Sequence, residues 1–305
     1  MTTLRCTEVA REAGLAPLGT AGHYGGFLLV DWPLPWPADV GDIPELTEVN
    51  AAATAAGVRV QAVAPSGDAA RVVLYRRPEG TGFAGYDRAA RVAEPASVVA
   101  AALGLLAGDG GDRAGDGDGD AAGGIGDILV CGHGRRDPCC GRDGTLLAME
   151  LLADPVLRDA GYAVGRTSHT GGHRFAPTAI VLPQGTMWAY LDRELTARIL
   201  HRTGPVAGVL PHYRGSTGIG SPGLQALERQ AFAEVGWGWL DWRREGREVA
   251  DGVVTLAAES PTGARAAWEA VVASEPRPVP DCGKPLAEAR KESPEPVIVA
   301  WRRTV

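Results

Sequence analysis

The chain has 305 residues, of which 45% are hydrophobic and 22% are charged, and its formal net charge is −7. This composition is typical of a globular protein with two or three domains, and the mild negative charge disfavours nucleic acid and anionic membranes as partners. No apolar run reaches the length of a membrane span, and the N terminus does not resemble a signal peptide. We therefore expect a cytoplasmic protein, in which an odd number of cysteines, five, favours free thiols or metal ligands over disulfides.

Residues 1–107 are predicted to form an α/β domain. Residues 27–32 (FLLVDW) are typical of a buried strand, and an acidic first turn and a glycine stop mark residues 94–107 as a helix. Between them the pattern predicts a helix at 43–56 and strands at 58–64 and 71–75.

A segment rich in Asp and Gly follows at residues 108–127. Asp116, Asp118 and Asp120 match the start of an EF-hand loop, but Ala121 stands where that loop needs Gly and Asp127 where it needs Glu. The segment is therefore interpreted as a flexible linker without a packed core.

Residues 128–204 are predicted to form a second α/β domain. The pattern predicts elements in the order strand, helix, strand, hairpin and helix, over residues 128–130, 146–157, 162–166, 179–191 and 193–202. This is the order of a thioredoxin-like unit. Residues 1–107 give roughly the same order, which suggests an internal duplication. Residues 205–305 are predicted to be an α+β extension of unassigned fold, with a loop at HYRGSTG and a helix at 224–235.

Cysteines and histidines crowd into one part of the second domain. Cys131 and Cys140 are separated by eight residues, and His169 and His173 by three. Two such pairs suit either a tetrahedral metal such as zinc or an iron–sulfur cluster. The glycines between the histidines argue against the helix that a classical zinc finger needs, and no C-x-x-C motif is present for thioredoxin-type redox chemistry.

The motifs CGHGRRDPCCG and HTGGH together resemble the sucrase/ferredoxin-like family. The resemblance extends to Cys6, to LLVDWPLPW, to the YRG of residues 213–215 and to Cys282-Gly283, so it covers nearly the whole chain. It implies a thioredoxin-like ferredoxin domain with a 2Fe-2S cluster, whose ligands fall on Cys131, Cys140, His169 and His173. The doublet offers Cys139 as a second candidate, but Cys140 precedes Gly141 as the family's ligand precedes its glycine.

Two functions are consistent with this pattern. The first is an electron-transfer protein that serves a redox partner protein, with proton coupling through the histidines. The second is a zinc-stabilised structural or adaptor module that uses the same four ligands. No pair of carboxylates suggests glycoside hydrolysis, and a thiol enzyme based on the cysteine doublet is disfavoured.

The remaining cysteines, histidines and arginines near the motifs receive less specific predictions. His133 is expected to be a loop residue or a hydrogen-bond partner of a ligand. Cys6 and Cys282 are expected to be structural thiols, with the alternative that they approach each other or the cluster. Arg135, Arg136 and Arg174 are interpreted either as a solvated surface or as charges that offset the cluster.

Overall fold

The computed structural model describes residues 4–108, 112–113, 125–154, 157 and 160–305. The described part is a mixed α/β structure with a ten-stranded and a four-stranded sheet. The helices are α1 (Cys6–Glu12), α2 (Thr47–Ala55), α3 (Val98–Ala107), α4 (Thr145–Ala153), α5 (Arg193–Leu200) and α6 (Pro222–Val235). The strands are β1 (Gly26–Asp31), β2 (Val58–Val63), β3 (Ala70–Arg76), β4 (Asp87–Ala93), β5 (Asp112–Arg113), β6 (Gly126–Cys131), β7 (Tyr162–Thr167), β8 (Ala179–Leu182), β9 (Thr186–Trp188), β10 (Tyr213–Ser216), β11 (Arg243–Ala250), β12 (Val253–Glu259), β13 (Arg265–Pro278) and β14 (Glu292–Arg303).

One order of elements occurs twice along the chain. In residues 26–107, the first unit, β1 and β2 are parallel across α2, and β3, β4 and α3 follow. In residues 126–200, the second unit, β6 and β7 are parallel across α4, and β8, β9 and α5 follow. The large sheet runs in the order β10-β9-β8-β6-β7-β2-β1-β3-β4-β5, so each unit contributes one contiguous block of strands.

The two units meet where β2 pairs with β7. This contact is antiparallel and sets Val63 opposite Thr167. Two backbone hydrogen bonds continue it, from the N–H of Ala64 to the carbonyl of Arg166 and from the N–H of Ser168 to the carbonyl of Ala62. Both predicted α/β domains therefore contribute strands to one sheet; the predicted domain boundaries themselves stay a prediction.

The central strands are buried on both faces, which explains their unbroken apolar sequences. Leu28 and Val30 of β1 pack in a core with α2 and α3. Phe27 and Leu29 point to the opposite face, as the two-residue period of a strand requires, and share a second core with Leu129 of β6. The two units thus bury part of their apolar surface against each other.

The C-terminal extension is an α+β structure that packs on the second unit. Its strands β11 to β14 form an antiparallel meander. Phe232 of α6 and Trp268 of β13 belong to the same core as the inner face of β6. Glu228 and Arg244 form a fully buried ion pair at 2.9 Å, whose carboxylate also accepts a hydrogen bond from Tyr213.

Several predicted boundaries shift for local reasons. The helix predicted at 43–56 begins at Thr47, because two 3₁₀ turns precede it, the second of which is opened by Pro44. The helix predicted at 94–107 likewise begins at Val98, after a 3₁₀ turn opened by Pro95. The helix predicted at 146–157 ends at Ala153. The predicted loop HYRGSTG contains the edge strand β10, which pairs with β9.

Most of the predicted linker, residues 109–111 and 114–124, lies outside the described residues. Its residues Asp112–Arg113 form β5, which pairs with β4. Among the described helices, none has both the length and the apolar character that a membrane span requires.

Candidate metal centre

The loop after β6 brings Cys140 back to the end of the strand. Cys131 is the last residue of β6 and is fully buried, with its backbone N–H donating to the carbonyl of Thr178 at 3.0 Å. A Cβ at Gly141 would overlap the backbone of Gly134, and a Cβ at Gly144 would overlap the carbonyl of Cys131. These close approaches require glycine, and they fold residues 140–144 into a π-helical turn against the strand end.

The buried residues Cys131 and Cys140 form one group with the half-buried His169. The Cys131 thiol is hydrogen-bonded to Cys140 and to His169. The hydrogen bond from Cys140 lowers the pKa of Cys131, and the same bond raises the pKa of Cys140. Cys131 is therefore the more readily ionised thiol of the pair, and the thiolate is the form of cysteine that binds metals.

The second histidine lies beside a carboxylate. Nδ1 of His173 is 3.0 Å from Oδ2 of Asp137 and 3.4 Å from Sγ of Cys6. The other carboxylate oxygen of Asp137 accepts the backbone N–H groups of Cys139 and Cys140. A carboxylate on one ring nitrogen fixes the tautomer of a histidine and leaves Nε2 as the nitrogen available to a metal.

The two glycines of HTGGH wrap the backbone around a buried arginine. Gly171 and Gly172 have φ angles of 86° and 70°, and a Cβ at Gly172 would lie 2.7 Å from the Arg214 guanidinium. Arg214 is fully buried and donates hydrogen bonds to the carbonyls of Gly171 and Thr20. Burial lowers the pKa of Arg214 to about 10, so the side chain keeps its positive charge at neutral pH.

The first unit holds the histidine loop in place. The N–H of His169 donates to Nδ1 of His133 at 3.1 Å, and Nε2 of His133 lies 2.7 Å from the carbonyl of Pro37. Because Nδ1 accepts, Nε2 is the protonated nitrogen and donates to Pro37. Arg59 of β2 donates to the carbonyl of His169 at 2.5 Å.

The donor atoms suit a bound metal group. Nδ1 of His169 is buried and has no hydrogen-bond partner in the part of the chain that the structure describes. A buried polar atom normally has a partner, so this nitrogen is available to a ligand. Two thiols and two imidazoles are the donor types that iron–sulfur clusters and zinc accept.

The histidine side of this centre reaches the surface. His173 is 24% exposed at its side chain, whereas Cys131 and Cys140 are fully buried. His169 borders a cleft of about 450 Å³, which is also lined by His133 and Arg59. The sulfur donors are therefore inside the protein, whereas the two imidazole rings lie nearer to solvent, with Nδ1 of His169 itself buried.

The three remaining cysteines pack beside the same centre. Cys6 of α1, Cys139, and Cys282 from the segment between β13 and β14 lie in one cluster with Cys131 and Cys140. The sequence motifs included Cys6 and Cys282, but only the fold shows that both approach Cys139.

Arg214 is a fully buried cation whose charge interacts with Cys131 and Cys140. The sequence analysis singled out its YRG motif without assigning it a role. Arg135 and Arg136 are exposed, and Arg174 lies over the ring of Phe175 at 4.4 Å.

The site combines buried thiols with imidazole rings that lie nearer to solvent. This arrangement places the protein in the class of proteins that have a candidate metal centre of mixed sulfur and nitrogen donors. The sequence model of the sucrase/ferredoxin-like family matches residues 17–215, and the chain belongs to that family. The match spans both units and ends within β10.

Two curated relatives are similar to a short part of the chain. One is "Altered inheritance of mitochondria protein 32" of Meyerozyma guilliermondii, 38% identical over 61 residues, which are 19% of this chain and 21% of the relative. The protein of the same name from Debaryomyces hansenii is 39% identical over 56 residues, which are 18% of this chain and 20% of the relative. The chain thus spans about a fifth of the length of the relatives it matches. No solved structure matches the chain.

Proposed function

We propose that this protein transfers electrons and that its second unit holds a 2Fe-2S cluster through Cys131, Cys140, His169 and His173. The observation that carries the proposal is the buried Cys131–Cys140 pair meeting His169, whose Nδ1 has no partner among the described residues. Such a cluster supplies reversible one-electron chemistry.

The exposure of the donors indicates where a partner docks. The cysteines are buried, and the histidines border solvent at the cleft and at the Asp137 side. We propose that a redox partner protein approaches the histidine side, because that side gives the shorter path to the surface.

A buried positive charge is expected to raise the reduction potential of the proposed cluster. The positive charge of Arg214 interacts with the thiols of Cys131 and Cys140 from a fully buried position. A buried cation favours the more negative, reduced state and therefore raises the potential. Two neutral imidazoles in place of two thiolates act in the same direction.

Asp137 gives the site a place for a proton. Its Oδ2 lies 3.0 Å from Nδ1 of His173 and can accept a hydrogen bond from an N–H at that position. We propose that proton transfer at this nitrogen is coupled to electron transfer.

We extend the proposal to the fold of each unit and to the cellular location of the protein. The repeated order of strand, helix, strand, two antiparallel strands and helix supports a thioredoxin-like assignment for each unit. A cytoplasmic location is proposed from the sequence alone.

The experiment that tests the function is an anaerobic purification with iron and acid-labile sulfide analysis and a visible spectrum. We expect about two iron and two sulfide per chain and a visible absorption that reductant bleaches. A colourless protein that holds zinc at Cys131 and Cys140 would instead establish the zinc-stabilised module. Iron bound without sulfide would also reject the proposal.

A further inference from the structure

A second group of metal donors lies beside the proposed cluster ligands. Cys6, Asp137, Cys139 and Cys282 each present one donor atom, and the four atoms lie within 4.8 Å of one another. Sγ of Cys139 is 3.5 Å from that of Cys6 and 3.2 Å from that of Cys282. Oδ2 of Asp137 is 3.8 Å from the sulfurs of both Cys6 and Cys282.

These spacings match the edges of a tetrahedron around one ion. With Zn–S bonds of about 2.3 Å, two sulfurs on the same tetrahedral zinc lie about 3.8 Å apart. Four of the six edges, from 3.2 to 3.8 Å, need only small adjustments to reach that size, and the other two are no longer than 4.8 Å. A disulfide requires about 2.05 Å between sulfurs, and it would leave the third thiol and the carboxylate unused.

Backbone hydrogen bonds orient the carboxylate of Asp137. Oδ1 of Asp137 accepts the N–H groups of Cys139 and Cys140, which leaves Oδ2 between the sulfurs and Nδ1 of His173. The backbone N–H of Cys6 points at Sγ of Cys282 at 3.5 Å, as donors around metal-bound thiolates do. Cys6, Cys139 and Asp137 are buried, so an ion there would be shielded from water.

We propose that Cys6, Asp137, Cys139 and Cys282 bind one Zn²⁺ in a structural site that is separate from the 2Fe-2S site. Three thiolates and one carboxylate are ligands that zinc accepts, and together they fill all four tetrahedral positions. The site leaves no open position for a substrate or for catalytic water. It ties α1 and the segment between β13 and β14 to the loop that carries Cys140.

The test is metal analysis of the purified full-length chain and its variants. We expect about one zinc per chain, and we expect Cys282→Ser to lower zinc about tenfold without changing iron content or the visible spectrum. Cys131→Ser should do the reverse and lower iron while zinc remains. Lys284→Ala, an exposed change in the same segment as Cys282, serves as the matched control and should leave both metals in place.

The two proposals fail in different ways. Zinc that is absent from the wild type and does not bind when Zn²⁺ is added overturns the zinc site, whatever the iron content. Loss of iron in Cys282→Ser, or a Cys139–Cys282 disulfide found by mass, overturns it as well. A colourless protein whose zinc depends on Cys282 rejects the electron-transfer function alone. Anomalous scattering at the zinc edge locates the ion in wild-type crystals, so the test does not depend on whether a variant folds.

Discussion

The first and second units place different residues at the same point of the same framework. Strand β1 reads GFLLVD and strand β6 reads GDILVC, and each is the central strand of its unit. The first ends at Asp31, whose carboxylate accepts the N–H of Arg71 at 2.9 Å. The second ends at Cys131, a proposed ligand. The last residue of the strand therefore accepts a structural hydrogen bond in the first unit and supplies a proposed ligand thiol in the second.

The loops after these strands differ in the same sense. The loop after β1 carries Trp36, which is buried, and Pro37, whose carbonyl accepts from His133. The loop after β6 carries Cys139 and Cys140. The repeated framework fixes the positions of the strand ends. The loops that follow give the first unit a supporting contact and the second unit the proposed ligands.

Substituting the last residue of β6 is expected to have the largest effect on iron content. Cys131→Ser should remove nearly all iron, because it replaces a proposed ligand, whereas Asp31→Asn should keep the iron content of the wild type. Iron per chain and visible absorption measure both. Equal iron loss in the two variants would show that the units do not differ in the way proposed.

The cysteine doublet sharpens the comparison within the second unit. Cys140→Ser should deplete the cluster as severely as Cys131→Ser, because Cys140 shares a hydrogen bond with Cys131, whereas Cys139→Ser should leave most of the iron. The visible spectrum reports the outcome. The opposite result would move the ligand to Cys139.

Breaking the link between the units should have a smaller effect. His133→Leu removes both the acceptor for the N–H of His169 and the donor to Pro37, and we expect iron to be lost about tenfold faster to a chelator. His133→Asn is the matched control, since its amide oxygen can replace Nδ1 as acceptor. Rates that are equal in the wild type and both variants would show that the first unit does not support the site.

A pH titration of the midpoint potential tests the proposed proton coupling at the histidine ligands. The midpoint potential should fall as pH rises, with a limiting slope of about 59 mV per unit, where the oxidised form has lost a ring proton and the reduced form keeps it. Asp137→Asn removes the carboxylate that lies 3.0 Å from Nδ1 of His173, so we expect the sloping region of this variant to differ from that of the wild type. A redox titration at several pH values checks this. A wild-type potential that is flat from acidic to alkaline pH would argue against an imidazole ligand with a free N–H.

The segment between the units should matter least. Removing several residues within 114–124 is expected to leave the iron content and visible spectrum unchanged, because the segment is almost free of large apolar side chains. Marked loss of iron after this modest shortening would assign the segment a role in the site.

The sequence predicted the parts of the fold that depend on local pattern. Strands β1 and β6 are apolar runs bounded by glycine, and α6 follows an N-cap serine, Ser221, with proline after it. Strand β10 was missed, because a short edge strand with Arg and Gly lacks an apolar pattern. Helix α2 was predicted too long, because a proline near its start favours a 3₁₀ turn.

The candidate site was predictable only where its residues share a motif. Cys131, Cys140 and His169, which the fold brings together, come from two motifs less than forty residues apart. The convergence of Cys6 and Cys282 on Cys139 depends on how α1 and the C-terminal meander pack, and no spacing rule covers residues 276 positions apart. The burial of Arg214 is likewise a property of the assembled fold.

The wide separation of Cys6 and Cys282 also sets an order of events during synthesis. A chain leaves the ribosome from its N terminus, and early domains fold before later ones are made. Cys131, Cys140 and both histidines emerge more than one hundred residues before Cys282. A nascent chain can therefore present its proposed cluster ligands to an iron donor while the thiol group around Cys139 is still incomplete, because that group closes only after Cys282 has been made.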